Sequence, residues 1–372
     1  MRQIRHQTVT YQIMHGDRIT ACVDTKGRCR IYEPEFLPFS LYLEENETDF
    51  DVLFNNLANF YFWCASRVLT LDRAYAKEIL SSIGAPQAST DKDRAAIALS
   101  YHCLSLLDVF WVKTEDEKVS FREINLYENS LDDSFVDVAL KGRQMTIQNS
   151  HLIADDLSTP GMFPKAWVRR EGTFCLLKDG SAEAVENELL ASRICQCFDC
   201  PQVRYTRDIF DGQPVSKSRI LTSLDYSIVS EEAFEIYAQN HDLDPLDYIL
   251  GLDAHAYYMM NILDYLVGNT DRHWGNWGFL VRNRDNQPIR LHDLMDFNRA
   301  FSAYDSLEGG RCLTVRRGAA VSQREAAVDA AKKVGLNQLR DVERDWFGGR
   351  TADWDMFRTR LELLRESENS VA

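Results

Sequence analysis

Gly268-Asn-Thr-Asp-Arg-His-Trp-Gly-Asn-Trp-Gly-Phe-Leu280 is the stretch whose reading decides the fold. It follows the segment Asp244–Gly268, in which Ile249, Leu252, Ala256, Met259, Leu263 and Leu266 or Val267 recur at three- and four-residue steps. That period predicts a long amphipathic helix, with Pro245 in its first turn and Gly268 closing it. Trp277–Leu280 then reads as a strand, and Ile289–Leu291 as a second one, followed by Asp296-Phe-Asn298. Polar side chains are thus set on loops framed by regular elements.

Asp271 and Asn276 have the Asp-x-x-x-x-Asn spacing of a kinase catalytic loop. Phosphoryl transfer asks for a group that orients or deprotonates the attacking hydroxyl, ligands for Mg²⁺, and cations on the phosphates. A carboxylate suits the first task because it accepts the hydroxyl's hydrogen bond. An amide oxygen suits the second because Mg²⁺ prefers hard oxygen ligands. Asp296, placed after a short strand, is the expected second Mg²⁺ ligand, and nearby Asp293 is the lesser candidate. Such a pair also arises by chance, and Gly-rich polar loops usually mark turns. The conjunction with the helix, the strands and Asp-Phe-Asn is what points to chemistry.

The chain has 372 residues, 45% hydrophobic and 27% charged. That is the mix of a globular protein with two or three packed units. Its net charge is −15, a field that repels phosphate backbones and anionic membranes. Direct nucleic-acid binding is therefore not expected. The start, Met1–Thr10, is polar, and no run of apolar residues is long enough for a membrane span. Nine cysteines without a regular framework read as free thiols of a reducing cytoplasm.

Working outward, Thr8–Met14 and Ile19–Val23 read as strands around His15-Gly16-Asp17. Phe50–Leu69 and Asp91–Leu107 read as helices. Val109–Lys113 and Val119–Ile124 read as a hairpin, and Phe135–Leu140 as the start of a helix. After the break at 158–165, Trp167–Arg170 and Thr173–Lys178 read as paired strands and Glu183–Cys197 as a helix. Val203–Tyr205 and Val215–Leu221 read as strands around Asp211-Gly212. Ser230 is a plausible N-cap for a helix opening on Glu231 and Glu232. The polar tail from Glu366 reads as disordered.

Asn269-Thr-Asp-Arg-His-Trp-Gly-Asn276 resembles the catalytic loop of the HipA-like kinases, Asn-Thr-Asp-x-His-x-x-Asn, and Asp296-Phe-Asn resembles their metal-binding segment. Gly161–Lys165 is similar to the family's Gly-x-x-Pro-Lys phosphate loop. Lys178 sits where the nucleotide lysine is expected, and Asn187–Glu188 is similar to the family's Asn-Glu pair. The match runs from Ser158 to Asn298.

The resemblance implies an α+β chain: a two-lobed protein-kinase-like fold with a mainly helical C-lobe, preceded by an α+β N-terminal domain. The expected divisions are 1–152, 153–223 and 224–372. It implies ATP and Mg²⁺ as cofactors and transfer of the γ-phosphate to a Ser or Thr hydroxyl of a protein. Asp271 would position or deprotonate the acceptor, and Asn276 and Asp296 would bind the metal. Lys178 would grip the α/β-phosphates, paired to Glu188, with Glu186 as the lesser candidate. Ser158, Gly161 and Lys165 would lie near the γ-phosphate, and adenine near Ser218–Leu221. Ser158 is the nearest match to an autophosphorylated serine. His273 is read as bracing Asp271 or Asp296, or else as a packed loop histidine. Arg272 is read as a phosphate contact or a solvated side chain. An antitoxin-like partner is implied. The rival readings are a phosphoinositide-like or small-molecule kinase, and a catalytically silent binding module.

Cys195, Cys197 and Cys200 are close in sequence, but a structural zinc site needs a fourth ligand, so buried or free thiols are expected. Arg311, Arg316 and Arg317 form a small basic patch, either a substrate contact or ordinary solvated arginines.

Overall fold

The computed structural model describes residues 8–68, 90–129, 165–170, 173–178, 181–210, 212–302, 306–315 and 320–369. The helix expected at Phe135–Leu140, the sites Ser158 and Gly161, and Arg316 and Arg317 lie outside the described residues.

The chain is mixed α and β, with three antiparallel sheets among the described residues. The first sheet contains β1 (Thr10–His15), β2 (Arg18–Asp24), β3 (Cys29–Ile31) and β4 (Phe110–Thr114), in the order β3-β2-β1-β4. Helices α1 (Phe50–Ser66) and α2 (Asp91–Ser100) pack with it. The predicted second strand of the hairpin is instead a short helix, α3 (Phe121–Ile124). Its start, Ser120-x-x-Glu123, is a capping box: Glu123 Oε2 accepts from the Ser120 backbone N at 2.8 Å. The second helix also stops earlier than its period suggests. His102 and Cys103 adopt left-handed φ of 59° and 55°, so Leu104 is buried from a loop.

The second sheet holds β5 (Lys165–Arg170), β6 (Thr173–Lys178), β7 (Thr206–Phe210) and β8 (Gln213–Arg219), in the order β5-β6-β8-β7. Val203–Tyr205 precedes β7 and is not a strand. Between β6 and β7 runs α4 (Ala182–Cys195). The third sheet is β11 (Gln287–Leu291), β10 (Gly278–Arg282) and β9 (Tyr226–Ser230). Around it lie α5 (Glu231–Asn240), α6 (Pro245–Val267), α7 (Gln323–Val334) and α8 (Thr351–Asn369). Ser230 caps α5 as expected, its Oγ accepting from Ala233 N at 3.2 Å. Helix α8 carries the tail through Glu366 as helix.

Two apolar cores result among the described residues. One gathers Ile13, Phe60, Trp63 and Trp111, and Trp167, Phe174 and Leu176 of the second sheet and Ile220 just past β8 lean on it. The other gathers Leu190 and Ile194 of α4 with Leu263, Phe279, Phe297 and Phe357. The second sheet thus stands on the first core, while its helix belongs to the other. Phe279 meets Phe234 at a centroid distance of 4.4 Å and Tyr248 at 5.9 Å. Each such pair adds about 1 kcal/mol beyond area burial and pins β10 to α5 and α6.

Helix α6 is less regular than its period implies. Asp253 breaks it with φ −155°, ψ 64°. Its Oδ1 accepts from Ala256 N at 3.2 Å, an internal cap, and its Oδ2 accepts from Leu291 N at 3.0 Å. The kink therefore anchors the end of β11, just before the Asp296 segment. Gly268 ends the helix in the left-handed conformation, with φ 63°.

Candidate active site

The loop 269–277 runs from the end of α6 to β10, and a buried ion pair gives it shape. Asp264, on the last turns of α6, receives Arg272 Nε at 2.8 Å and Nη2 at 2.9 Å. Asn269 Nδ2 donates to the same carboxylate at 2.8 Å. Arg272 Nη1 then donates to the backbone oxygens of Asn276, at 3.2 Å, and Met295. One guanidinium thus ties the loop to the residue preceding Asp296. Arg272 is neither solvated nor a phosphate contact: it is 3% exposed. Burial works against its charge, but the Asp264 carboxylate outweighs that and holds it above the usual arginine value.

Asp271 is half-buried, and Arg299 Nε lies 3.6 Å from its Oδ2. Arg299 stands just beyond Asp296-Phe-Asn298, so Asp271 and the Asp296 segment meet from both directions. The Asn276 Nδ2 donates to the Asp271 backbone oxygen, which aims the other half of the amide away. That Oδ1 is buried and has no protein hydrogen-bond partner. An orphaned buried acceptor costs free energy unless something else satisfies it. A divalent cation with a preference for hard oxygens fits this amide and the carboxylate of Asp296.

Asp296 has a left-handed φ of 65°, a conformation Asp tolerates better than most side chains. Its Oδ1 accepts from Lys178 Nζ at 3.2 Å. Lys178, at the end of β6, also donates to Glu188 Oε1 at 2.8 Å. Burial alone would lower the lysine's pKa, but Asp296 and Glu188 outweigh it and hold it well above the ordinary range. Ser216 Oγ donates to the second oxygen of Glu188. Glu186 instead faces outward and pairs with Arg207, so Glu188 is the lysine's partner. Asp293 is taken by Arg290, at 2.8 Å.

Other expected residues fall in different places. His273 is exposed; its Nδ1 accepts from Gly275 N at 3.0 Å and its backbone N donates to the Asp271 backbone oxygen at 2.8 Å, so it shapes its own loop. Lys165 opens β5 with its backbone opposite Lys178. Ser218 is buried on β8 opposite Leu176, and Leu221 lies in the connection from β8 to β9. Cys195 and Cys197 are buried thiols. No three His, Cys, Asp or Glu side chains converge as a metal site among the described residues.

Tyr205 was not singled out by any motif. Its hydroxyl lies 3.4 Å from Lys178 Nζ and accepts from the Asp296 backbone N at 3.2 Å. The only sequence signal was an aromatic residue beside β7, which carries no chemistry on its own.

No family model matches the sequence, and no curated protein matches it. Among solved structures, the proinflammatory kinase CtkA of Helicobacter pylori is similar at 12% identity and TM-score 0.43, over 56% of this chain and 94% of that one. The HipA protein of Shewanella oneidensis MR-1, from a toxin–antitoxin complex with HipB and operator DNA, is similar over 96% of this chain and 99% of that one. Its identity is 12% and its TM-score 0.56. That likeness spans nearly the whole of both chains, and the fold described above is HipA-like.

Proposed function

We propose that this chain is an ATP- and Mg²⁺-dependent phosphotransferase that moves the γ-phosphate to a Ser or Thr hydroxyl of a protein. The observation that carries the reading is one buried arrangement. Lys178 is held between Glu188 and Asp296, while the neighbouring loop turns an unpartnered amide oxygen of Asn276 inward. In this reading residues 153–223 form the small lobe and 224–372 the helical lobe, with 1–152 as a separate N-terminal domain. Adenine lies near Ser218 and Leu221, and the loop with Ser158, Gly161 and Lys165 near the γ-phosphate.

The chain's own groups do the positioning. Lys178 grips the α/β-phosphates, and Glu188 fixes where its ammonium points. Asp271 accepts the hydrogen bond of the acceptor hydroxyl and orients it for in-line attack. Asn276 and Asp296 hold Mg²⁺, whose charge offsets that of the triphosphate. Tyr205 holds the Asp296 backbone, and Arg272 holds the loop. Autophosphorylation at Ser158 would add a doubly charged group beside the γ-phosphate site and oppose ATP. The HipA structure includes HipB, which supports a small DNA-binding, antitoxin-like partner for this chain too.

The test is incubation of the purified chain with labelled ATP and Mg²⁺, followed by mapping of phosphosites by mass spectrometry. Label that vanishes in Asp271→Asn supports the reading, and label on Ser158 supports self-regulation. Label on lipid or small-molecule acceptors alone would shift the acceptor class. Absence of any nucleotide binding would leave a silent module and remove the proposal.

A further inference from the structure

Asn187 is the neighbour of Glu188 on α4, and the chemistry above leaves it without a task. It is nevertheless buried, and its Oδ1 accepts from Arg350 Nη2 at 2.6 Å, across 163 residues of chain. Arg350 directly precedes α8. Its Nε donates to Asp353 Oδ2 at 2.6 Å, in the first turn of that helix. Its guanidinium carbon also lies 4.9 Å from the centroid of the Phe301 ring. Phe301 follows the Asp296 segment, and its backbone N donates to Val267 O, the last residue of α6, at 2.9 Å. One side chain therefore touches α4, the chain after Asp296, and the start of the final helix.

We infer that Arg350 is a positioning residue for phosphoryl transfer, latching α4 through Asn187 so that Glu188 reaches Lys178. The inference rests on the function proposed above. A charge-assisted bond between a guanidinium and an amide oxygen is stronger and more directional than a neutral one. It acts on the one helix that carries the lysine's partner. With the latch gone, α4 is free to shift and Glu188 loses its hold. Lys178 then retains Asp296, already 3.2 Å away, and draws that carboxylate from the metal. The defect falls on MgATP binding. If Arg350 only glued α8 to the core, its loss would lower stability and leave nucleotide affinity alone.

The test uses the full chain with Arg350→Ala, Asn187→Ala and the double variant. MgATP affinity is read by titration calorimetry, ATP turnover by phosphate release, and folding by thermal melts. Each single variant is expected to weaken MgATP binding and raise KM for ATP about five- to tenfold, with kcat within about threefold. The double variant is expected to be no worse than the weaker single one, because both remove the same contact. Asn187→Asp keeps an acceptor for the guanidinium and is expected to retain affinity within about twofold of the unaltered chain. Unchanged affinity in folded variants, or effects that multiply in the double variant, overturns the inference. Arg350→Gln retains much of the apolar stem; if it and Arg350→Ala both fail to fold, the residue holds the fold and the inference is likewise overturned. An unaltered chain that binds no MgATP would instead sink the proposed function.

Discussion

Lys178 and Asp296, 118 residues apart in the chain, meet at 3.2 Å between Nζ and Oδ1. The end of a strand in the second sheet and a left-handed loop residue beyond the third sheet are brought together there, and Glu188 takes the same ammonium at 2.8 Å. The lysine is the electrostatic joint of the site.

That joint gives the first prediction. Replacing Lys178 with Met removes the cation between two carboxylates and the proposed grip on the phosphates. ATP turnover is expected to fall by roughly a hundredfold or more. Glu188→Gln leaves Asp296 as the carboxylate that holds the ammonium, and the half-saturating Mg²⁺ concentration is expected to rise by about tenfold. Turnover measured over a Mg²⁺ titration checks both; a Glu188→Gln curve that overlays the unaltered one counts against the assignment.

Asp264 supports the second. Its carboxylate accepts from Arg272 and Asn269 inside the fold. Asp264→Ala strands a buried guanidinium, and the expected loss of stability is about 3–5 kcal/mol by denaturant unfolding. A double replacement, Asp264→Leu with Arg272→Met, removes both charges and should recover part of that loss. Turnover should not recover with it, because Arg272 also ties Asn276 to Met295.

Acid sensitivity follows from two histidines. Burial depresses both His15 and His292 to a pKa of about 4 from the usual 6.5. Between those values the unfolded chain binds protons that the folded chain refuses. Stability from these groups is therefore complete above about pH 6.5 and falls as the pH drops towards about 4, by roughly 3 kcal/mol per histidine at the acid end. The measurement is folding free energy against pH for the unaltered chain and for His292→Gln. Parallel curves through this window would show that His292 takes no part.

Much of the C-terminal half was legible because its signals are local. The period of α6, its proline start and glycine stop, and the Asp-x-x-x-x-Asn spacing each fall within one short window. The loop then sits where those signals put it. The kink at Asp253 was hidden because its cause is tertiary: the side chain trades helix continuity for a bond to Leu291. Val119–Ile124 misled because Ser120 and Glu123 cap each other, and four residues are too few for a helical period to show. Arg272 misled more deeply, since the same residue type lines phosphate sites and buried ion pairs. Only Asp264, eight residues back on the helix, decides between them. Tyr205 and Arg350 act across distances no spacing rule spans.

The connection between β8 and β9 does not swing freely. Thr222 Oγ1 donates to Leu106 O, and Ile228 N to Leu107 O at 2.9 Å. Asn286, in the turn after β10, donates to Glu35 O at 3.0 Å and Leu37 O at 3.1 Å. The first part of the chain is stitched to both sides of the bend. In the proposed two-lobed reading, jaws mounted this way would have a gape set by a third body, like a wrench whose thumbscrew lies on the handle. Whatever strains the β4 edge or the 34–37 turn would alter the grip without touching it.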